Sequence, residues 1–173
     1  MDPSEAPSHA TRDRILATAR DLFHRQGFSA VGINAICRAA GVVKGSFYHF
    51  FPSKQVLFEV VMECHQAELI EELEAANREA PDGRGRVLAQ FSRWLDSAER
   101  QKAAQGRVLG CPIGALASET AAASEPARRA SQAVFRAWRR LLAEQVRAGI
   151  ADGSIAGSVD AESAALRDRK SVV

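Results

Sequence analysis

Along most of the chain apolar residues recur every three or four positions, the period of a helix buried on one side, and no useful stretch alternates as a half-buried strand does. Between residues 11 and 26, Ile15, Leu16, Ala19, Leu22 and Phe23 fall on one stripe, and Gly27 supplies a stop. Two short segments follow, 33–40 ended by Gly41 and 44–50 ended by the turn at Pro52. Ser53 stands where it can cap a long fourth helix, whose stripe of Val56, Leu57, Val60, Val61 and Cys64 carries on to about residue 80. Pro81-Asp82-Gly83 breaks the chain. Val87, Leu88, Phe91, Trp94 and Leu95 then predict a fifth helix to about residue 102, while Ile113, Leu116, Ala117 and Thr120 predict a short sixth. Val134, Phe135, Trp138, Leu141, Leu142 and Val146 predict a long seventh that ends between Gly149 and Gly153. The expected fold class is all-α, preceded by a mobile arm over residues 1–9, where prolines and serines replace the apolar pattern.

Composition agrees with helix over strand: 46% of the 173 residues are hydrophobic, only 6% are aromatic, and Ala, Leu, Arg and Glu recur throughout. The net charge of +2 conceals an uneven distribution. Between residues 10 and 55 seven basic side chains (Arg12, Arg14, Arg20, Arg25, Arg38, Lys44, Lys54) face two acidic ones, Asp13 and Asp21, a local balance of +5. The next helix reverses the sign, with Glu59, Glu63, Glu68, Glu71, Glu72, Glu74 and Glu79 on positions expected to face water. No apolar run approaches a membrane span and no secretory signal precedes the first helix, so a cytoplasmic protein with no membrane partner is expected. Cys37, Cys64 and Cys111 are odd in number and widely spaced, which argues for reduced thiols and against a disulfide framework or metal cluster. A Gly-rich phosphate loop, a metal-ligand cluster and a nucleophile elbow are all missing from the sequence, so neither an enzyme nor a cofactor is expected.

Two short helices joined by a glycine-containing turn make a helix-turn-helix, and the positive segment carries it. Thr11-Arg12, Ile15-Leu16, Ala19, Leu22-Phe23, Gly27-Phe28, Ile36, Ala40-Gly41-Val42, Lys44-Gly45-Ser46-Phe47-Tyr48, Phe51 and Ser53-Lys54 together resemble, in type and spacing, the DNA-binding domain of the TetR family of transcriptional regulators. The resemblance implies a three-helix DNA-binding domain over residues 10–55. A helical regulatory and dimerisation domain is expected over 56–167, with residues 168–173 as a tail.

The resemblance further implies that Lys44, Gly45, Ser46, Tyr48, His49 and Lys54 touch DNA. The chemistry is suitable. A short helix starting near Lys44 offers backbone amides and an ammonium to phosphate, Gly45 permits close approach, and Ser46, Tyr48 and His49 carry groups that bond phosphate or base edges. Lys54 would add a second phosphate clamp, whereas Phe47 and Phe51 are expected in the small core. Two positions depart from the family pattern: Val31-Gly32 before the second helix, and Val43 before the third, stand where a hydroxyl residue is common. Each is expected to leave its helix without a side-chain cap, a loss of about 1 kcal/mol.

For the second half the resemblance implies a homodimer on palindromic operator DNA, and a pocket for an unidentified small-molecule effector whose binding releases the DNA. The expected pocket residues are Phe91, Trp94, Leu109, Cys111, Ile113, Leu116, Phe135 and Trp138, the large or central positions on the inner faces of helices five to seven. A ligand-independent activator or architectural DNA-binding protein is the alternative. Cys111, between Gly110 and Pro112 at a helix start, is either a reactive thiol or a small buried apolar residue. Beyond Arg167 the last six residues can be encoded in frame by what looks like a sequencing adapter. The natural gene is therefore expected to have been cut near that point, a short polar tail being the alternative.

Overall fold

The computed structural model describes residues 8–120 and 125–167, and among them all helix and strand assignments are α-helix. The helices are α1 (His9–Gln26), α2 (Ile33–Ala40), α3 (Lys44–Phe50), α4 (Lys54–Glu79), α5 (Gly83–Gln105), α6 (Pro112–Thr120), α7 (Glu125–Ala151) and α8 (Ala161–Arg167). Residues 1–7 of the expected arm, and the whole of the expected tail over 168–173, lie outside the described residues. Among those described, no helix is long and apolar enough to cross a membrane.

The chain divides into two compact units, one of Met1–His65 with Leu109–Gln132, the other of Gln66–Val108 with Ala133–Val173. The boundary expected near residue 55 falls at the start of α4, which runs unbroken from Lys54 to Glu79.

In the first unit α1 packs against α2, α3 and α6. Its core holds Ile15, Ala19 and Phe23 of α1, Ile36, Cys37 and Ala40 of α2, Phe47 of α3, Leu57, Phe58, Val61 and Met62 of α4, and Ile113 and Leu116 of α6, all buried. On α4 Phe58 and Met62 replace the expected Val56, Val60 and Cys64, which are half-buried. Phe23, Phe28 and Phe58 form an aromatic trio, with Phe28 edge-on to both partners at centroid distances of 5.4 and 4.9 Å. Ser53 caps α4 as expected, its Oγ accepting from the Val56 amide at 3.1 Å.

In the second unit Leu73, Trp138, Leu142, Ala143 and Ala165 form a core, with Leu69, Val87, Trp94, Phe135 and Leu141 packed against it. The start of α5 is fastened to the end of α7. Asp82 accepts from the Gly85 amide at 2.7 Å, while the Gly83 and Arg84 amides donate to Asp152 Oδ2 and Ser154 Oγ at 2.8 and 3.0 Å. Hydrogen bonds from Ser154 and from the Gly83 amide hold the Asp152 carboxyl below its usual range. Gly83 is buried, and a Cβ there would overlap the backbone of Gly149. Gly83→Ala should therefore destabilise the protein by about 1–3 kcal/mol, since neither backbone can yield. The better helix propensity of alanine, about 1 kcal/mol, offsets only part of this. A urea midpoint equal to or above wild type would show that the contact can relax.

Candidate nucleic-acid interface

The helix pair α2–α3 is short, so tertiary packing rather than propensity must hold it. Gly41, in the left-handed region at φ 64° and ψ 40°, ends α2, and the amides of Gly41 and Val42 donate to the carbonyls of Arg38 and Cys37. Gly32 and Val43 precede α2 and α3 in extended conformation without side-chain caps, as the sequence implied. What fixes α3 is Phe47, with no exposed surface, and Phe51 just beyond it.

The other side of α3 faces solvent. Lys44, Gly45, Tyr48 and His49 are exposed and lie at the i, i+1, i+4, i+5 positions of one helical face, with Ser46 half-buried beside them. Tyr48 is 51% exposed, and its ring stands nearly perpendicular to the buried Phe47 ring at 5.4 Å, which directs the phenol outward. His49 rests against Phe50 at 4.7 Å. A Cβ on Gly45 would meet no atom within 4 Å, so nothing of the first unit covers that turn. Arg14 and Arg38 are also exposed, and the Arg12 guanidinium lies 5.6 Å over the Phe51 ring.

The expected contact residues on α3 thus share one accessible surface, and Lys54 does not join them. Its Nζ donates to the Phe28 and Val31 carbonyls at 2.9 and 3.0 Å and sits 4.1 Å over the Phe28 ring. Two of its three N–H donors therefore serve the α1–α2 connection rather than a phosphate clamp. Phe28 and Val31 lie between the helices, where their carbonyls have no place in a helical ladder. Burial lowers the Lys54 pKa, and the Glu119 carboxylate partly opposes that shift.

Glu119, to which sequence reasoning assigned no role, completes this arrangement. Its carboxylate oxygens accept from the Phe28 and Ser29 amides at 2.7 and 2.6 Å, so α6 grips the α1–α2 connection from the other side. Burial alone would raise its pKa. The Ser29 and Phe28 hydrogen bonds, with Lys54 nearby, outweigh that and hold the carboxyl below its ordinary value. Gly27 permits the approach: its φ is +85°, and a Cβ there would stand 2.6 Å from Glu119 Oε2. A second link joins His24 Nε2 to the Gly110 carbonyl at 3.2 Å.

The expected pocket residues fall into two groups. In the second unit Phe91 stands edge-on to Trp94 at 5.5 Å, Trp94 lies 5.0 Å from Trp138, and Phe135 packs on the same core. In the first unit Ile113 and Leu116 are buried core residues of α6, Leu109 is half-buried and Cys111 is exposed. An open groove of about 570 Å³ runs along Glu72, Glu79, Pro81, Arg93, Asp96 and Arg100 and includes none of them.

The small buried apolar thiol among the cysteines is Cys37, whose pKa is raised by burial against a smaller opposing influence of Lys44, while Cys64 is half-buried. Alkylation of the folded protein should therefore proceed in the order Cys111, Cys64, Cys37, followed by peptide mass spectrometry. A Cys111 no faster than Cys37 would contradict its exposure.

The chain is similar to known proteins in sequence and in fold. Residues 15–61 match the family described as bacterial regulatory proteins, tetR family, and residues 83–167 match the tetracyclin repressor-like C-terminal domain. The chain is 32% identical over 136 residues to the HTH-type transcriptional regulator YxaF of Bacillus subtilis, covering 79% of this chain and 70% of that protein. It is also 32% identical over 142 residues to the HTH-type transcriptional repressor NemR of Escherichia coli, covering 82% and 69%. The crystal structure of reduced E. coli NemR superposes with a TM-score of 0.82 at 30% identity, covering 91% of this chain and 80% of that one. A regulatory protein TetR from Rhodobacter sphaeroides superposes at 0.76 and 28% identity, covering 90% and 80%. With the helix-turn-helix, the helical second half and these relatives in agreement, the chain belongs to the TetR family and is a DNA-binding transcriptional regulator.

Proposed function

We propose that the protein is a repressor that binds a palindromic operator as a homodimer through the exposed face of α3 and leaves it when a small molecule binds the helical second half. The observation that carries this reading is the grip of α6 on the α1–α2 connection through Glu119, which gives a change at α6 a hydrogen-bonded route to the DNA-binding helices. Lys44 and the α3 backbone engage phosphate, while Ser46, Tyr48 and His49 add hydrogen bonds to phosphate or base edges. The similarity to NemR, a transcriptional repressor, supports repression over activation.

Selection of bound duplexes from random DNA tests the reading. Two inverted half-sites, spaced by one helical turn or a multiple of it, are expected. A single unrepeated half-site would overturn the dimeric reading. Lys44→Ala should weaken every selected site to a similar degree and reduce the slope of log affinity against log salt by about one. Unchanged affinity and slope would remove Lys44 from the interface. Binding upstream of a promoter with increased transcription, insensitive to small molecules, would favour an activator instead.

A further inference from the structure

The second unit contains a polar residue that the pattern of its own helix does not call for. Gln90 lies on the inner stripe of α5, three residues after Val87 and four before Trp94, and is only 1% exposed. Neither its Nε2 nor its Oε1 has a hydrogen-bond partner. Trp138, on α7, is 8% exposed, and its indole Nε1 is likewise unpartnered. Buried polar atoms are almost always paired, because an unpaired one carries the whole loss of its hydration, and exceptions gather where something else supplies the partner.

These groups stand beside aromatic rings. Trp94 follows Gln90 by one helical turn, and its ring lies 5.0 Å from that of Trp138. Phe91, 37% exposed, meets Trp94 edge-on at 5.5 Å, so a continuous run of rings leads from the surface inward to Trp138. Flat aromatic walls suit a flat ligand. A primary carboxamide presents an N–H donor and a carbonyl acceptor side by side, which pairs through two parallel hydrogen bonds with any edge that offers the complement, as glutamine does with adenine. Such an edge is found in a lactam ring, where N–H and C=O are held cis. Trp138 contributes one more donor, suited to a carbonyl. Because the carboxamide gives and takes one hydrogen bond at that edge, it demands no formal charge from its partner.

We propose that Gln90, with Trp94 and Trp138, recognises a neutral, planar heterocycle bearing a lactam edge. The proposal rests on the effector-released reading above and names the chemistry of that effector.

The test uses 2-quinolinone as probe and its N-methyl derivative as control, the latter keeping the shape and carbonyl while removing the N–H. Binding is followed by calorimetry and by the indole N–H resonances of Trp94 and Trp138, the two tryptophans of the chain. The expected result is binding of 2-quinolinone at least about tenfold tighter than the control, a preference that Gln90→Met abolishes, with a shift of the Trp138 indole resonance. A second expectation needs no ligand: Gln90→Met should raise the unfolding temperature of the free protein, since an unpaired buried amide is exchanged for an apolar chain of similar size. Failure of 2-quinolinone to bind, equal binding of the two compounds, or a lowered unfolding temperature would overturn the site while leaving ligand-released repression untouched. Gln90-dependent binding that leaves an operator complex intact would uphold the site and overturn the release.

Discussion

Phe47→Ala should lose about 3–5 kcal/mol of stability and all operator binding, while the adjacent Tyr48→Ala should unfold within about 0.5 kcal/mol of wild type and still bind poorly. Phe47 is buried in the core, whereas Tyr48, the next residue around the helix, faces solvent. Phe47 has no exposed surface and lies 6.0 Å from the ring of Phe51, itself 1% exposed, so its truncation opens a cavity beneath a seven-residue helix that has no side-chain cap. A helix so short is not held without that packing. Tyr48 is half-exposed, its phenol reaches solvent, and it takes with it only an edge-to-face contact with Phe47. Its loss should lower operator affinity by about tenfold, the worth of one good hydrogen bond to DNA together with the contact area of the ring. Urea denaturation and operator titration on the two variants separate the effects. A Tyr48→Ala protein with unchanged affinity would take the exposed face of α3 off the DNA, and a Phe47→Ala protein with native stability would mean that α3 is anchored elsewhere.

The helices themselves were largely legible in the sequence. The bounds of α2 and α3 follow from short apolar runs closed by Gly41 and by the Phe51-Pro52 turn, where backbone conformation leaves few choices. At α1 the helix begins two residues early, at His9, because the Ser8 carbonyl accepts from the Thr11 and Arg12 amides without any side-chain signal. At α5 it runs on to Gln105, since Ala103 and Ala104 favour helix and Gly106 at φ 71° provides the stop that Lys102 does not.

The site was legible only where side chains carry the information. The face of Lys44, Gly45, Tyr48 and His49 follows from helical periodicity once α3 is placed. At Lys54 the sequence is silent, because a lysine near a helix start looks the same whether it meets a phosphate or two backbone carbonyls. Glu119 was invisible for a related reason: its partners are the Phe28 and Ser29 amides, some ninety positions away, and a backbone amide has no sequence signature. Gln90 could have been found, as a polar residue at a buried position of the stripe that holds Val87 and Trp94.

Glu119→Ala should cost about 2–3 kcal/mol at pH 7, since hydrogen bonds to a charged group contribute about 1.5–3 kcal/mol each and this carboxylate, partly exposed, makes two at less than full strength. Lys54 would lose the Glu119 carboxylate that favours its charge while still donating to Phe28 and Val31, so burial would weigh more heavily on it. Glu119→Gln should fall between the two, because its amide oxygen accepts from one of the two N–H groups and its NH₂ confronts the other. The pH dependence identifies the cause. A carboxyl whose folded pKa lies below its unfolded value of 4.5 contributes stability that is fully present above 4.5 and is lost as pH falls through the folded value. The stability difference between wild type and Glu119→Gln should therefore be constant from neutral pH down to about 5 and shrink in stronger acid. Operator affinity should fall for Glu119→Ala at neutral pH, because Phe28 and Ser29 belong to the connection that leads into α2. Were Glu119→Ala to unfold at the wild-type midpoint at pH 7, or the wild-type and Gln curves to stay parallel into acid, the carboxylate would not be holding the connection. A change at α6 would then reach the DNA-binding helices through side-chain packing and the His24–Gly110 link.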